Sequence, residues 1–160
     1  HFVYHSITKI CIFFAVGAII KNSGAHYVYE IDGLGRKMPI TFAFFTVAAL
    51  SLTGVPLFAG FVSKWYLCTA IVEASTPLGY VGMAALIISS ILTAIYALSV
   101  PIRAYVNKPH MVNQTIYDKA HEPNVMYLIS VGVFAVACIL FGVMSQPIYF
   151  AITTVLGGLV

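Results

Sequence analysis

The sequence predicts an all-α, polytopic membrane helical bundle of about five transmembrane helices, one of them discontinuous near Lys64. Three observations predict it. Hydrophobic residues fill 61% of the 160 positions and charged residues 8%, where a soluble domain carries about a quarter. The charges are also segregated: between Met38 and Ile102 the Asp, Glu, Lys and Arg residues are Lys64 and Glu73 alone, and none stands from Pro123 to Val160. A water-soluble domain cannot cover its surface with such segments. Finally, the apolar stretches have a bilayer's length, since about 20 residues at about 1.5 Å rise cross a hydrocarbon core of about 30 Å.

Residues 2–20, 79–104 and 124–146 each read as one uninterrupted span. Residues 40–73 differ. As one helix they would run roughly 51 Å, too long for one crossing and short of two at about 40 residues. Thr53-Gly54-Val55-Pro56 breaks the stretch, because Gly54 is flexible and Pro56 lacks an N–H, and Gly60 loosens the start of the second helix. The spans there are 40–54 and 57–74, the second short or interrupted near Lys64. Irregular backbone at that depth survives only where protein or a wet cavity covers it. The whole chain, 1–160, reads as a single membrane domain.

Two connections, 21–37 and 105–123, are polar enough for an aqueous face. Counting 40–54 and 57–74 as two crossings puts Lys21, Arg36 and Lys37 on one side and Arg103, Lys108 and Lys119 on the other. That is a tie under the positive-inside rule and leaves orientation open. Residues 147–160 are apolar but short, which suits an interfacial piece or a truncated span. The chain opens at His1 with neither an initiating methionine nor a signal-peptide pattern, and reads as a piece of a longer protein.

Composition also excludes function classes. The formal charge of +3 is scattered, with no basic stripe to follow a phosphate backbone, so the lipid bilayer is an expected partner and nucleic acid is not. Cys11, Cys68 and Cys138 stand far apart inside apolar segments and read as small fillers, so no metal and no cofactor is expected of them. There is no G-x-S-x-G, P-loop, H-E-x-x-H or dinucleotide fingerprint, and no catalytic residue is assigned.

The candidate ion-path residues are Lys9, His5, His1, Lys64 and Glu73. His1, His5 and Lys9 recur every four residues and stack on one helical face. Lys9 lies near mid-membrane, where a lysine costs several kcal/mol unless it meets water or a partner or gives up its proton. A proton carrier needs such a base, and histidines add stations that titrate near neutrality. The plainer readings are a snorkelling or paired Lys9 and a satisfied core His5. Lys64 lies beside the helix break, where freed carbonyls and helix ends can bind a cation or order water. Its plainer reading is an interfacial cap beside Trp65 and Tyr66. Glu73, near the end of that helix, is placed to exchange protons with the aqueous side or to be an ordinary interfacial acid. Ser89, Ser90, Thr93 and Tyr96 form a polar strip; Ser89, Thr93 and Tyr96, spaced four and three apart, are the candidates for ordering water between titratable groups, or for bonding neighbouring helices.

Two stretches together resemble a known family, the proton-conducting antiporter-like membrane subunits of respiratory complex I, membrane-bound hydrogenases and Mrp-type cation/proton antiporters. His5-Ser6-Ile7-Thr8-Lys9-Ile10-Cys11-Ile12-Phe13-Phe14-Ala15-Val16-Gly17 is similar to the family's H-x-x-x-K-x-x-x-F-x-x-x-G helix. Met38-Pro39, Ala49-Leu50-Ser51-Leu52-Thr53-Gly54-Val55-Pro56 and Ala59-Gly60-Phe61-Val62-Ser63-Lys64 resemble its L-S-x-x-G-x-P and A-G-F-x-S-K run. Residues 88–96 look like the next helix of such proteins. The resemblance covers roughly residues 1–105 and implies the last five of about fourteen spans. It implies that His5 and Lys9 belong to a polar axis along the membrane midplane, and that Lys64 is the charged residue of the second broken helix. The implied function is translocation of H⁺, with Na⁺ as the alternative, through a hydrated Lys/His relay. The chain would act as a subunit among other membrane subunits, in an energy-transducing membrane, with the redox chemistry of any oxidoreductase complex lying elsewhere. Leu57 departs from the pattern, since many relatives have a second proline there.

Two other readings compete. A haem or quinone protein would use His5 and His26, but His26 lies in a loop outside the spans. A degenerate antiporter-like scaffold would hold partners together without transport.

Overall fold

In a bilayer, backbone N–H and C=O groups must find partners within the protein, and helices or closed barrels alone achieve this. A computed structural model describes residues 1–109, 114–144 and 154. Its helices are α1 (Phe2–Ser23), α2 (Pro39–Thr53), α3 (Ala59–Ala74), α4 (Pro77–Val106), α5 (Gln114–Lys119) and α6 (Val125–Val143), with short 3-10 turns at Val28–Ile31 and Leu34–Arg36. No strand occurs among the described residues. By length and apolarity α1, α4 and α6 can each cross a membrane. The helices α2 and α3, of 15 and 16 residues, cannot do so singly, being roughly 22–24 Å long. Residues 147–160, expected at an interface or in a truncated span, lie outside the described residues except Thr154.

The position of α3 relative to α2 follows from their shared neighbour α4. Tyr105 at the end of α4 donates to the Pro39 carbonyl at the start of α2 (3.0 Å). Ser90 in the middle of α4 meets Lys64. Gly79, at its beginning, packs on Ile71 near the end of α3. Numbers along α4 fall as those along α2 and then α3 rise, so α3 continues onward from α2 and α4 runs antiparallel beside both. Small side chains bring the helices close at the centre, in a core built on Cys11, Ala15, Phe45, Ala48, Ala49, Ala97, Val131 and Ala135.

A two-crossing count of residues 40–74 separates the connections 21–37 and 105–123, and the structure corrects that separation. Because the chain does not turn back between α2 and α3, both connections arrive at the same end of the bundle. There Asp32, 4% exposed, accepts from Asn107 Nδ2 (3.0 Å) and sits 3.6 Å from Arg103 Nη1. Gly33 N–H donates to the Arg103 carbonyl, and the Lys37 ammonium lies 5.1 Å above the Tyr117 ring. A second apolar cluster of Ile19, Ile31, Leu34, Met38, Phe42 and Ala104 fills the space beneath.

The same end caps α2 from a distance. Met38 at the N-cap position offers no side-chain acceptor bond. Glu122, some 80 residues on, instead accepts from Ile40 N–H (2.7 Å), Thr41 N–H (3.3 Å) and Thr41 Oγ1 (2.6 Å). A carboxylate at a helix N-terminus satisfies orphan donors and faces the positive end of the dipole. Glu122→Ala therefore costs about 1–2 kcal/mol, read as a lower melting temperature of the assembled parent complex, whereas Glu122→Asp retains part of the cap.

Candidate functional site

The site begins with the way α2 ends. Gly54 adopts φ 90°, ψ 40°, a left-handed conformation that stops the helix. A helix leaves its last four carbonyls without helical partners, here those of Leu50, Ser51, Leu52 and Thr53. Gly54 N–H donates to Leu50 O and Ser51 O (3.2 and 3.1 Å), and Val55 N–H also donates to Leu50 O. The Leu52 and Thr53 carbonyls receive the Lys64 ammonium, at 3.1 and 3.0 Å. The third Lys64 bond goes to Ser90 Oγ at 3.0 Å, and Ser90 spends its own proton on the Leu86 carbonyl (2.8 Å). An ammonium has three donors, and each has an oxygen here.

Two features bring Lys64 to that position. Gly60 lies so close to α2 that a Cβ would overlap the Ser51 carbonyl oxygen, so glycine alone lets the first turn of α3 approach. Ser90 is the fourteenth of the thirty residues of α4, which sets the ammonium at mid-length of that helix and not at an end, where an interfacial cap would lie.

The helix α1 supplies the opposite wall. Thr8, 1% exposed, donates to the Tyr4 carbonyl (3.0 Å) and lies 3.2 Å from Ser51 Oγ and 3.6 Å from Cys138 Sγ. Since the Thr8 proton is committed to Tyr4, Ser51 donates to Thr8. This node ties α1, α2 and α6 together at the level of the break. Two turns before Thr8, at the N-cap of α1, His1 Nδ1 is 3.0 Å from Ser63 Oγ, and the His1 and His5 rings lie 5.7 Å apart.

Between these walls is a cavity of about 130 Å³ lined by His1, Tyr4, His5, Thr8, Ser51, Ser63, Lys64, Ser89, Ser90, Thr93 and Tyr96, among others. It has room and polar partners for several waters. Six of the expected residues meet there: His1, His5, Lys64, Ser89, Thr93 and Tyr96. Lys9 does not line it. One turn beyond His5 and half-buried, its ammonium bonds to no described residue. Glu73 is exposed in the last turn of α3 and also lies outside the lining.

Sequence reasoning passed over Tyr4, Thr8, Ser51 and Ser63, and it left Ser90 in the polar strip without a role. Hydroxyls flanking a break and its lysine were the available signal. His26 follows the far end of α1 from His5, which removes the paired-histidine haem arrangement. No group of three or more His, Cys, Asp or Glu stands together among the described residues.

Residues 1–97 match the family described as NADH:quinone oxidoreductase/Mrp antiporter, transmembrane. The chain is 39% identical over 105 residues to NADH-quinone oxidoreductase subunit N of Desulforudis audaxviator, covering 66% of this chain and 20% of that protein. It is 32% identical to Na⁺/H⁺ antiporter subunit A1 of Staphylococcus haemolyticus, covering 99% of this chain and 21% of that one. It thus spans about a fifth of the length of these relatives. Among solved structures, the membrane-bound sulfane sulfur reductase, an archaeal respiratory membrane complex, superposes on 88% of the chain with a TM-score of 0.74 and 30% identity, over 22% of the matched chain.

Gly60→Ala tests the geometry directly. The added methyl group pushes α3 off the Ser51 carbonyl and loosens the Lys64 bonds, at about 1–3 kcal/mol. The yield of assembled complex falls accordingly, while Gly82→Ala on the open face of α4 leaves it unchanged.

Proposed function

Because the chain belongs to the NADH:quinone oxidoreductase/Mrp antiporter transmembrane family, whose members include antiporter-like subunits of respiratory and Mrp complexes, we propose that it carries part of an ion path. The ion is H⁺, with Na⁺ the alternative, and the chain works among other membrane subunits. It is an integral membrane protein of an energy-transducing membrane.

The observation that carries this reading is the position of Lys64, whose Nζ lies level with the middle of α4 beside a polar cavity that reaches His5 and His1. None of its three bonded oxygens is a base, so a proton leaves Lys64 only when the side chain swings from them into the cavity. Waters held by Ser89, Thr93 and Tyr96 then connect it to the histidines. Lys9, one turn further on α1, continues the line toward whatever packs beyond this chain. Glu73, away from the cavity, takes the role of an acid at the aqueous end of α3.

On this reading α2 and α3 are two halves of one crossing, antiparallel to α4. Six of the eight Lys and Arg residues, Lys21, Arg36, Lys37, Arg103, Lys108 and Lys119, then belong to the end where the two connections meet. The positive-inside rule directs that end to the cytoplasmic or matrix face.

The scaffold reading retains one observation of its own: the Lys64 ammonium is fully bonded and satisfies carbonyls that would otherwise be orphaned. Proton uptake separates the two. Vesicles of the parent complex, driven by its own reaction and compared at equal assembly, lose pumping to the level of passive leak with Lys64→Ala if Lys64 is on the path. Intact pumping in that variant sinks the ion-path role and leaves the scaffold.

A further inference from the structure

The oxygens that hold the Lys64 ammonium form a receptor for a single positive charge. Leu52 O and Thr53 O are the terminal carbonyls of α2, at the negative end of its dipole. Ser90 Oγ, its proton engaged by Leu86 O, presents lone pairs to the same point. All three are neutral acceptors, so the point where they converge favours a cation and offers nothing to an anion. Among the described residues no carboxylate lines the adjoining cavity, so a single positive charge is the most this depth tolerates; a divalent ion would bring a second, uncompensated one.

From this geometry we propose that Leu52 O, Thr53 O and Ser90 Oγ form a monovalent-cation site for which the Lys64 ammonium and an alkali cation such as Na⁺ are mutually exclusive occupants. Its role in transport rests on the reading of Lys64 as a mobile proton carrier; the binding itself does not. When Lys64 swings into the cavity, the two carbonyls lose their donors, and leaving such groups unpaired in a membrane interior costs several kcal/mol each. Once Lys64 has passed its proton on and swung away neutral, an alkali cation in its place keeps the oxygens partnered and the local charge at one. A cation seated there holds Lys64 out of its cradle, which couples alkali-ion occupancy to the proton position.

The test is equilibrium binding of ²²Na⁺ to the purified, assembled parent complex. Lys64→Ala gains one saturable Na⁺ site per complex over wild type, and Ca²⁺ does not displace the ion. Adding Ser90→Ala to Lys64→Ala weakens that site by about tenfold or more, as loss of one of three protein ligands requires. Lys64→Ser gains the same site and serves if the alanine variant does not assemble. No gained site in either Lys64 variant, or one indifferent to Ser90→Ala, overturns the proposal. The outcome is independent of pumping: proton uptake lost in Lys64→Ala without a gained Na⁺ site leaves the ion path standing and removes the receptor. A gained site with pumping intact does the reverse.

Discussion

A helix that stops inside a membrane exposes carbonyls where no water comes to meet them, and the arrangement around Thr53 is built on that constraint. Four carbonyls are released when α2 ends. The Gly54 turn takes two and Lys64 takes two. Neither device suffices alone, because the left-handed turn directs just the Gly54 and Val55 N–H groups backward, and the lysine reaches no further than the last two residues. With all four satisfied, the break is a stable element of the fold. Unsatisfied, each would cost several kcal/mol, a large fraction of the stability of a domain this size.

That requirement fixes the neighbours. The ammonium needs a third acceptor, and Ser90 provides it at the middle of the one helix long enough to run past both α2 and α3. α4 therefore serves as a splint across the break, with Tyr105 at Pro39 and Gly79 at Ile71 marking its two ends. The antiparallel course of α4 brings its C-terminus back to the start of α2. Both charged connections consequently share one end, where Asp32, Arg103, Asn107 and Glu122 join them. A local defect in one helix thus determines which loops can touch.

Much of this was legible in the sequence, for physical reasons. Apolar length marks α1, α4 and α6, and Gly54 with Pro56 marks the break, since both act through local backbone chemistry. The direction of the chain after the break was not legible: a glycine turn is compatible with reversal or with continuation, and the choice is made by packing on α4, a neighbour distant in sequence. The same limit hid Glu122, whose capping partners lie some 80 residues earlier, and Ser90, which differs from Ser89 solely in the face of α4 it occupies. Lys9 shows the converse. Its four-residue spacing from His5 sets both along one side of α1, but the cavity lining takes in His5 and Thr8 and not Lys9, so sharing a side did not secure a shared cavity.

Leu57 bears on how the break is held. Its φ of 86° is a conformation that a proline, fixed near −65°, cannot adopt, so the turn here differs in kind from one carrying a second proline at that position. For leucine the left-handed conformation costs about 1–2 kcal/mol, and its side chain is 71% exposed within this chain, so burial does not offset the strain. What does hold it is α6. Gly142 approaches so closely that a Cβ would overlap the Leu57 carbonyl oxygen and the Phe58 backbone, and the buried Cys138, one turn earlier, meets Thr8 beside Ser51. A helix with no ionisable Asp, Glu, Lys or Arg residue thereby helps to build the surroundings of Lys64: it clamps the strained link whose geometry points α3, and with it Lys64, at the open end of α2.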